Sequence, residues 1–135
     1  MYSDLQGVYV LIHLQEVRQA SEEAITVVFR TACGDGVARW VGEPVQVGET
    51  YDVELTIEET LTWGSTITDA EEGNSISFED SVLTLHGELV DLTGTDGALK
   101  VCGSIILFDT FDVRSPSTSF VVVRTRDVSL YDTNM

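Results

Sequence analysis

Carboxylates are the chemical groups that dominate this sequence, and their spacing decides which reactions they could carry. Residues 69–74 read Asp-Ala-Glu-Glu-Gly-Asn and group hard oxygen ligands of the kind that suit Ca²⁺. Their spacing does not match an EF-hand loop, which needs acidic positions at 1, 3, 5 and 12. Asp109 and Asp112 form a weaker version of the same pattern. We therefore expect a solvated acidic loop and no metal site.

Nucleophiles and general bases are not arranged in any pattern that identifies a reaction. His13 and His86 fall in predicted strands and form no spaced pair that could hold a metal. Lys100 is the only lysine, and the chain has no glycine-rich phosphate-binding loop. Among many carboxylates some pair will always suit glycoside hydrolysis, so such a pair is not evidence. The sequence therefore predicts no catalytic residue and no cofactor, and we expect that the protein is not an enzyme.

The charge balance excludes two classes of partner. Asp and Glu number 23 against 7 Lys and Arg, a net charge of −16 in 135 residues. Contacts with phosphate groups need Lys and Arg, so direct binding to nucleic acid is not expected. Docking on an anionic membrane is not expected for the same reason. No apolar run reaches the roughly 20 residues of a membrane-spanning helix.

Two groups of acidic residues lie close together in the sequence, within residues 49–59 and 71–80, and like charges within a Debye length repel one another. A binding partner would relieve that repulsion. We predict that the partner-binding residues are Glu49, Asp52, Glu54, Glu58, Glu59, Glu71, Glu72, Glu79 and Asp80.

These features favour a module that binds and neutralises a basic protein. Acidic immunity proteins inhibit nuclease-like toxins in this manner, because the active sites of such toxins already hold cations for phosphate. The alternative is a β-barrel module for a small ligand or for assembly, whose acidity is incidental or is an adaptation to high salt.

Hydrophobic patterning predicts one all-β domain over residues 1–135, either an antiparallel barrel, with an OB-like barrel as one option, or a two-sheet sandwich of about 6–8 strands. The clearest strand covers residues 50–58, where apolar and acidic residues alternate. The other predicted strands cover residues 7–14, 24–33, 37–41, 76–92, 98–108 and 120–130, and residues 76–92 form either one bent strand or two short ones with a kink at Gly87. Turns or loops are predicted at residues 34–36, 64–75, 93–97 and 114–119. A short helix is a candidate only at residues 15–24.

The same alternation predicts the buried core. Its expected members are Val10, Ile12, Phe29, Trp40, Tyr51, Val53, Leu55, Ile57, Leu85, Leu89, Val101, Ile105, Leu107 and Val122.

Cys33 and Cys102 form neither a CxxC pair nor a zinc pattern. We expect two small buried apolar residues, with a disulfide as the alternative for an exported protein. The first residues lack the basic start of a secretory signal, and this favours a cytoplasmic location.

Overall fold

The protein is built from β-strands. The computed structural model describes residues 9–19, 25–114 and 116–133, and this part of the chain contains no helix. Its strands are β1 (Tyr9–Gln19), β2 (Ile25–Thr31), β3 (Gly34–Val41), β4 (Thr50–Ile57), β5 (Ile67–Ala70), β6 (Ser75–Glu79), β7 (Val82–Thr93), β8 (Asp96–Val101), β9 (Ser104–Asp109), β10 (Phe120–Thr125) and β11 (Val128–Asp132). The prediction of an all-β fold with little helix is confirmed.

Five of the strands close a barrel. β1 pairs antiparallel with β2 on one side and with β4 on the other. β3 pairs antiparallel with β2 and parallel with β11, and β11 returns antiparallel to β4. The order β1–β2–β3–β11–β4 therefore leads back to β1, which makes the barrel closed and OB-like.

Period-two alternation explains how β4 sits in the barrel wall. Val53, Leu55 and Ile57 are buried, whereas Asp52 and Glu54, which alternate with them, are exposed. Successive side chains of a strand point to opposite faces, so the first set fills the interior and the second set faces water. The predicted strand at residues 50–58 is confirmed.

The other six strands are inserted in sequence between β4 and β11. β7 is their centre: its first half pairs with β6 and β10, and its second half pairs with β8. β5 extends the sheet beyond β10, and β9 extends it beyond β8. A single parallel pair, Gly34 with Ile76, joins this inserted unit to the barrel wall at β3 and β6.

Three predicted long strands are each divided in two, which is why there are more strands than the expected six to eight; two of the three are hairpins. Two-residue turns divide residues 76–92 at Asp80–Ser81 and residues 98–108 at Cys102–Gly103. Asp80, Ser81 and Cys102 take positive φ values of 52°, 66° and 47°. Tight hairpin turns require such φ values, usually from glycine, and the non-glycine residues Asp80 and Ser81 concealed the first break. The strand at residues 120–130 breaks at Arg126.

The glycines of residues 34–36 do not form the predicted turn. The β2–β3 turn is Ala32–Cys33, and Gly34 and Gly36 lie within β3. A Cβ atom at Gly34 would lie 1.9 Å from the carbonyl oxygen of Ile76. Gly34 is therefore needed for the close approach of β6 and not for chain reversal.

Two further expectations about local structure are wrong. Residues 15–19 of the helix candidate lie in β1, where they pair with β2, and the rest of that candidate lies outside the described residues. The predicted loop at residues 64–75 contains the short strand β5, because its Ile67 is fully buried and β10 offers a free edge.

The core prediction holds along β1–β4 and is out of register in two later strands. Val10, Ile12, Phe29, Trp40, Val53, Leu55, Ile57, Leu85 and Val101 are buried as expected. Tyr51 and Leu89 are half-buried and pack against the core. The expected positions Ile105, Leu107 and Val122 are wrong: Leu107 is 50% exposed, and the buried residues are Ile106, Phe108, Val121 and Val123. Apolar runs with no polar alternation left that register undetermined. Residues 7 and 8 of the strand predicted at residues 7–14 lie outside the described residues.

The two cysteines form a disulfide that ties the barrel to the inserted unit. Cys33 lies in the β2–β3 turn and Cys102 in the β8–β9 turn, with their Cα atoms 6.0 Å apart. The expectation of two buried thiols is wrong, since Cys102 is exposed and Cys33 is half-buried. The β3–β6 contact brings the two turns together.

Candidate partner-binding face

The outer surface of β1, β4 and β11 carries a mixed acidic and apolar patch, which we call the barrel face. It consists of Tyr9, Leu11, Asp52, Glu54 and Tyr131, with Glu58 at the end of β4. Strand register places Glu54 directly between Tyr9 of β1 and Tyr131 of β11. Asp52 lies directly opposite Leu11. Neighbouring side chains on one face of a sheet are within contact reach, so the barrel face is continuous.

Leu11 is the apolar residue that sets the barrel face apart from an ordinary solvated strand. Its side chain is 62% exposed. It lines a surface pocket of about 390 Å³ together with Tyr9 and Asp52, and the β8–β9 turn at Cys102–Ser104 forms the opposite wall. The pocket thus offers an apolar surface beside a carboxylate.

Glu58 extends the barrel face at the far end of β4. Its Oε2 atom accepts a 2.9 Å hydrogen bond from the hydroxyl group of Tyr131 and lies 3.9 Å from Nη2 of Arg39. The hydrogen bond to Glu58 is the main cause that raises the pKa of Tyr131 above its ordinary value, and partial burial adds to it. The same Arg39 binds Asp127 at 2.8 Å. Glu58 is therefore held in place, with 28% of its side chain accessible.

Two predicted site residues near β4 differ from this cluster. Glu49 is exposed just before β4, and its carbonyl oxygen accepts a 2.9 Å hydrogen bond from the Leu14 amide. Glu59 turns toward the β10–β11 turn, where its carboxylate accepts hydrogen bonds from the Thr125 hydroxyl and the Arg126 amide. The carboxylate of Glu59 thus stabilises a turn and does not project from the barrel face.

The remaining four predicted residues belong to the inserted unit. Glu71 and Glu72 are exposed between β5 and β6, where the Glu71 carbonyl oxygen lies 2.7 Å from Nε2 of His86. Glu79 ends β6, and Asp80 forms the β6–β7 turn. The structure thus brings Asp52, Glu54 and Glu58 together on the barrel face and places these four on other elements.

Tyr9, Leu11 and Tyr131 of the barrel face were not among the predicted partner-binding residues. Leu11 could have been recognised from the sequence. It lies between the inward-facing Val10 and Ile12, at a position where alternation leads one to expect a polar residue. The positions of Tyr9 and Tyr131 could not be recognised in this way, since they lie beside Glu54 only through strand pairing across the barrel.

The acidic stretch at residues 69–74 is occupied by contacts within the fold. Oδ2 of Asp69 accepts hydrogen bonds of 3.4 Å from the Ser117 amide and from Arg114. Oδ1 of Asn74 accepts a 3.0 Å bond from the Cys102 amide. Within residues 9–19, 25–114 and 116–133, no three His, Cys, Asp or Glu side chains are grouped to hold a metal ion.

In the described part of the chain, no helix has the length and apolar character needed to cross a bilayer.

Comparison with protein-family models, with curated proteins and with solved structures gives no match to this chain. The candidate function therefore rests on the geometry of the barrel face.

Proposed function

We propose that this protein binds a basic protein partner through the barrel face and neutralises it, in the manner of an immunity-type inhibitor of a nuclease-like toxin. The observation that carries the proposal is the row Tyr9–Glu54–Tyr131 across β1, β4 and β11. It places a carboxylate between two aromatic rings on a solvent-facing surface of a strongly acidic chain.

This row suits an arginine or lysine side chain of the partner. The Glu54 carboxylate supplies the ion pair, and an adjacent tyrosine ring supplies a cation–π contact worth about 0.5–1 kcal/mol at an exposed site. Tyrosine is also enriched in protein interfaces, because it buries a large ring at low entropic cost and keeps a polar end. Leu11 would add apolar burial beside Asp52, so the partner should present an apolar residue near its basic group.

The net charge of −16 supports the same proposal through kinetics. An acidic surface attracts a basic partner over several ångströms and raises the association rate, and salt screens that attraction. Asp52, Glu54 and Glu58 are the groups on the barrel face that would steer the encounter.

The alternative of a ligand-binding barrel has less support. The interior of the five-stranded barrel is filled by apolar side chains, among them Ile12, Phe29, Leu55 and Leu130, which are at most 3% exposed. Small barrels of this kind hold side chains in their interior in place of a ligand.

The experiment combines capture of the partner with binding kinetics. The purified chain is immobilised, proteins from the source cell are passed over it, and a captured protein is identified and purified. Its association with the wild type, with Glu54→Gln and with Tyr131→Phe is then measured at about 0.05 M and about 0.3 M NaCl. We expect a basic partner, slower association at the higher salt and weaker binding to Glu54→Gln.

The matched control is Asp91→Asn, which removes an exposed carboxylate of β7 outside the barrel face. It should bind like the wild type. A neutral or acidic partner, salt-independent association, or equal losses for Glu54→Gln and Asp91→Asn would each contradict the proposal.

A further inference from the structure

A cleft opens where β3 and β6 separate beyond their single parallel pair. Gly34 pairs with Ile76, and the Ile76 amide donates a 3.0 Å hydrogen bond to the Cys33 carbonyl oxygen. From there the two strands diverge. The space between them, about 590 Å³, is lined by β2, by β3 and by residues 76–78 of β6. We call it the β3–β6 cleft.

The pairing register aims backbone groups into this cleft. The two-residue turn makes Thr31 and Gly34 a hydrogen-bonded pair, so Gly36 and Ala38 also bond to β2. Asp35 and Val37 alternate with them and turn their N–H and C=O groups the other way, toward β6. The parallel pair of Gly34 with Ile76 uses the Asp35 N–H for the Ile76 carbonyl oxygen, so the Asp35 C=O and both peptide groups of Val37 are left facing the cleft. The same alternation applies in the β6–β7 hairpin. Glu79 and Val82 flank its two-residue turn and form a hydrogen-bonded pair, so Phe78, the next residue of β6, turns its peptide groups away from β7 and toward β3. In the described part of the chain, no strand pairs with this side of Val37 or Phe78.

Apolar side chains line the same space. Val28 and Val37 are half-buried neighbours on the outer face of the β2–β3 hairpin. Phe78 stands at the opposite wall with 37% of its surface exposed. A strand that pairs with the β3 edge would cover these groups with every second side chain.

The charge lining the cleft is opposite in sign to that of the whole chain. The cleft continues along β3 to the β10–β11 turn through a second depression of about 360 Å³, which shares Val37 and Phe78 with the first. Four arginines and two aspartates line the two parts: Arg18, Arg30, Arg39, Arg126, Asp35 and Asp127.

Both aspartates are already paired, Asp35 with Arg30 and Asp127 with Arg39. The guanidinium group of Arg126 donates to the Asp80 carbonyl oxygen, and no carboxylate within the described residues forms an ion pair with it.

We infer that the β3–β6 cleft binds an extended segment of a partner protein, which adds a short strand to the β3 edge and carries apolar residues with an acidic flank. Main-chain hydrogen bonds to Val37 and Phe78 give the affinity of such β-augmentation, and side-chain contacts give its specificity. Arg126 selects the acidic flank. The segment differs in charge from the basic partner of the barrel face and uses other strands, so this site is independent of the proposed function.

The test uses the peptide acetyl-Glu-Thr-Val-Thr-Val-Glu-amide, followed through the backbone amide signals of the ¹⁵N-labelled protein. The glutamates at both ends allow either strand direction. We expect saturable shifts at Asp35, Val37 and Phe78, and weaker binding of the same peptide with lysine at both ends, although the protein carries −16 charges. N-methylation of the two valines should abolish binding, because it removes backbone donors and leaves the side chains.

Two protein variants complete the test. Val37→Pro replaces an N–H that points into the cleft and leaves the β2–β3 ladder intact, since proline is tolerated at strand edges. Arg126→Ala removes the selecting guanidinium. Each variant should bind the glutamate peptide at least about fivefold more weakly than the wild type. A loss of this size corresponds to one hydrogen bond or ion pair. Val90→Ala, an exposed residue of β7 outside the cleft, should not change it.

Hydrogen exchange in the free protein tests the edge itself. The Val37 amide should exchange faster than those of Asp35, Gly36 and Ala38, which are bonded to β6 or β2. Equal protection, stronger binding of the lysine peptide, or unchanged binding after N-methylation would overturn the proposal. Concentration-dependent shifts at the same amides without peptide would assign the cleft to a second copy and would also overturn it.

Discussion

The hydroxyl group of Tyr131 donates a 2.9 Å hydrogen bond to Oε2 of Glu58 and so links the barrel-closing strand β11 to the residue that follows β4. Glu58 also lies 3.9 Å from the guanidinium of Arg39 on β3. One carboxylate thus connects three adjacent strands on the outside of the barrel. The link has a measurable consequence at high pH.

Tyr131 should ionise at a higher pH than an ordinary tyrosine. The hydrogen bond to Glu58 favours the protonated phenol and raises its pKa above the value of about 10 in an unfolded chain. The hydrogen bond therefore stabilises the folded protein fully below about pH 10, and this stabilisation is lost as the pH rises through the raised pKa of Tyr131. Tyrosine ring NMR should show that Glu58→Gln lowers the pKa of Tyr131. Glu72→Gln, at an exposed position of the inserted unit, should leave it unchanged.

The corrected register of β9 predicts opposite outcomes at two neighbouring positions. Ile106 is 1% exposed, so Ile106→Ala should lower the free energy of unfolding by about 2–5 kcal/mol. Leu107 is half-exposed, and Leu107→Ala should cost less than about 1 kcal/mol. Urea unfolding of both variants measures the difference. If Leu107→Ala were the more damaging, β9 would have the register that alternation first suggested.

The disulfide should make a large contribution to stability. It joins residues 69 positions apart, and closing a loop of that length in the unfolded chain corresponds to about 4 kcal/mol. The double variant Cys33→Ser/Cys102→Ser should therefore unfold at lower denaturant concentration than the wild type. A reductant should destabilise the wild type and leave the double variant unaffected. Alkylation of two free thiols in the oxidised wild type would show that the bond does not form.

Asp96 and Asp109 face each other directly across β8 and β9. The hydrogen bond with Asp96 raises the pKa of Asp109, and partial burial and like-charge repulsion act in the same direction. A carboxyl group with a raised pKa stabilises the fold when protonated, and that stabilisation is lost as the pH rises through the raised value. Asp96→Asn should thus raise the melting temperature at pH 7. The gain should disappear below about pH 4, where the unfolded carboxyl is also protonated.

Dependence of the fold on salt separates the proposed function from an adaptation to high salt. The core is well buried, and Glu58 of the barrel face is held by Tyr131 and Arg39, so we expect a folded protein in about 0.1 M NaCl. Circular dichroism at about 0.1 M and about 2 M NaCl tests this. Loss of strand signal at the lower concentration would favour the high-salt alternative.

Strands with a clear alternation of apolar and polar residues were predicted correctly, whereas uniformly apolar strands and a turn without glycine were not. The alternation of Val53, Leu55 and Ile57 with acidic residues identified β4, its inner face and the carboxylates Asp52 and Glu54. The run of Ile105, Ile106, Leu107 and Phe108 contains no polar residue, so period two could not select the buried set. The Asp80–Ser81 turn was missed because neither residue is a glycine or a proline.

The candidate site was predicted only where it is local in sequence. Asp52, Glu54 and Glu58 lie within seven consecutive positions, and their common orientation follows from one strand. Tyr9 and Tyr131 reach Glu54 only through pairing of β1 and β11 with β4, which no local pattern reveals. The β3–β6 cleft was likewise hidden, because it depends on two strands that meet at a single residue pair and then separate.

The barrel wall is discontinuous along the chain, since its strand β11 begins at Val128 while β4 ends at Ile57. A protease that cuts an exposed loop between these residues would leave two fragments that still share one hydrogen-bonded wall. If the cut follows Cys102, the fragment carrying β11 would be held by strand pairing alone. If the cut precedes Cys102, that fragment would also stay covalently attached through Cys33. The nicked protein should therefore migrate as one species when folded, and the position of the cut alone would decide whether denaturation without a reductant releases β11.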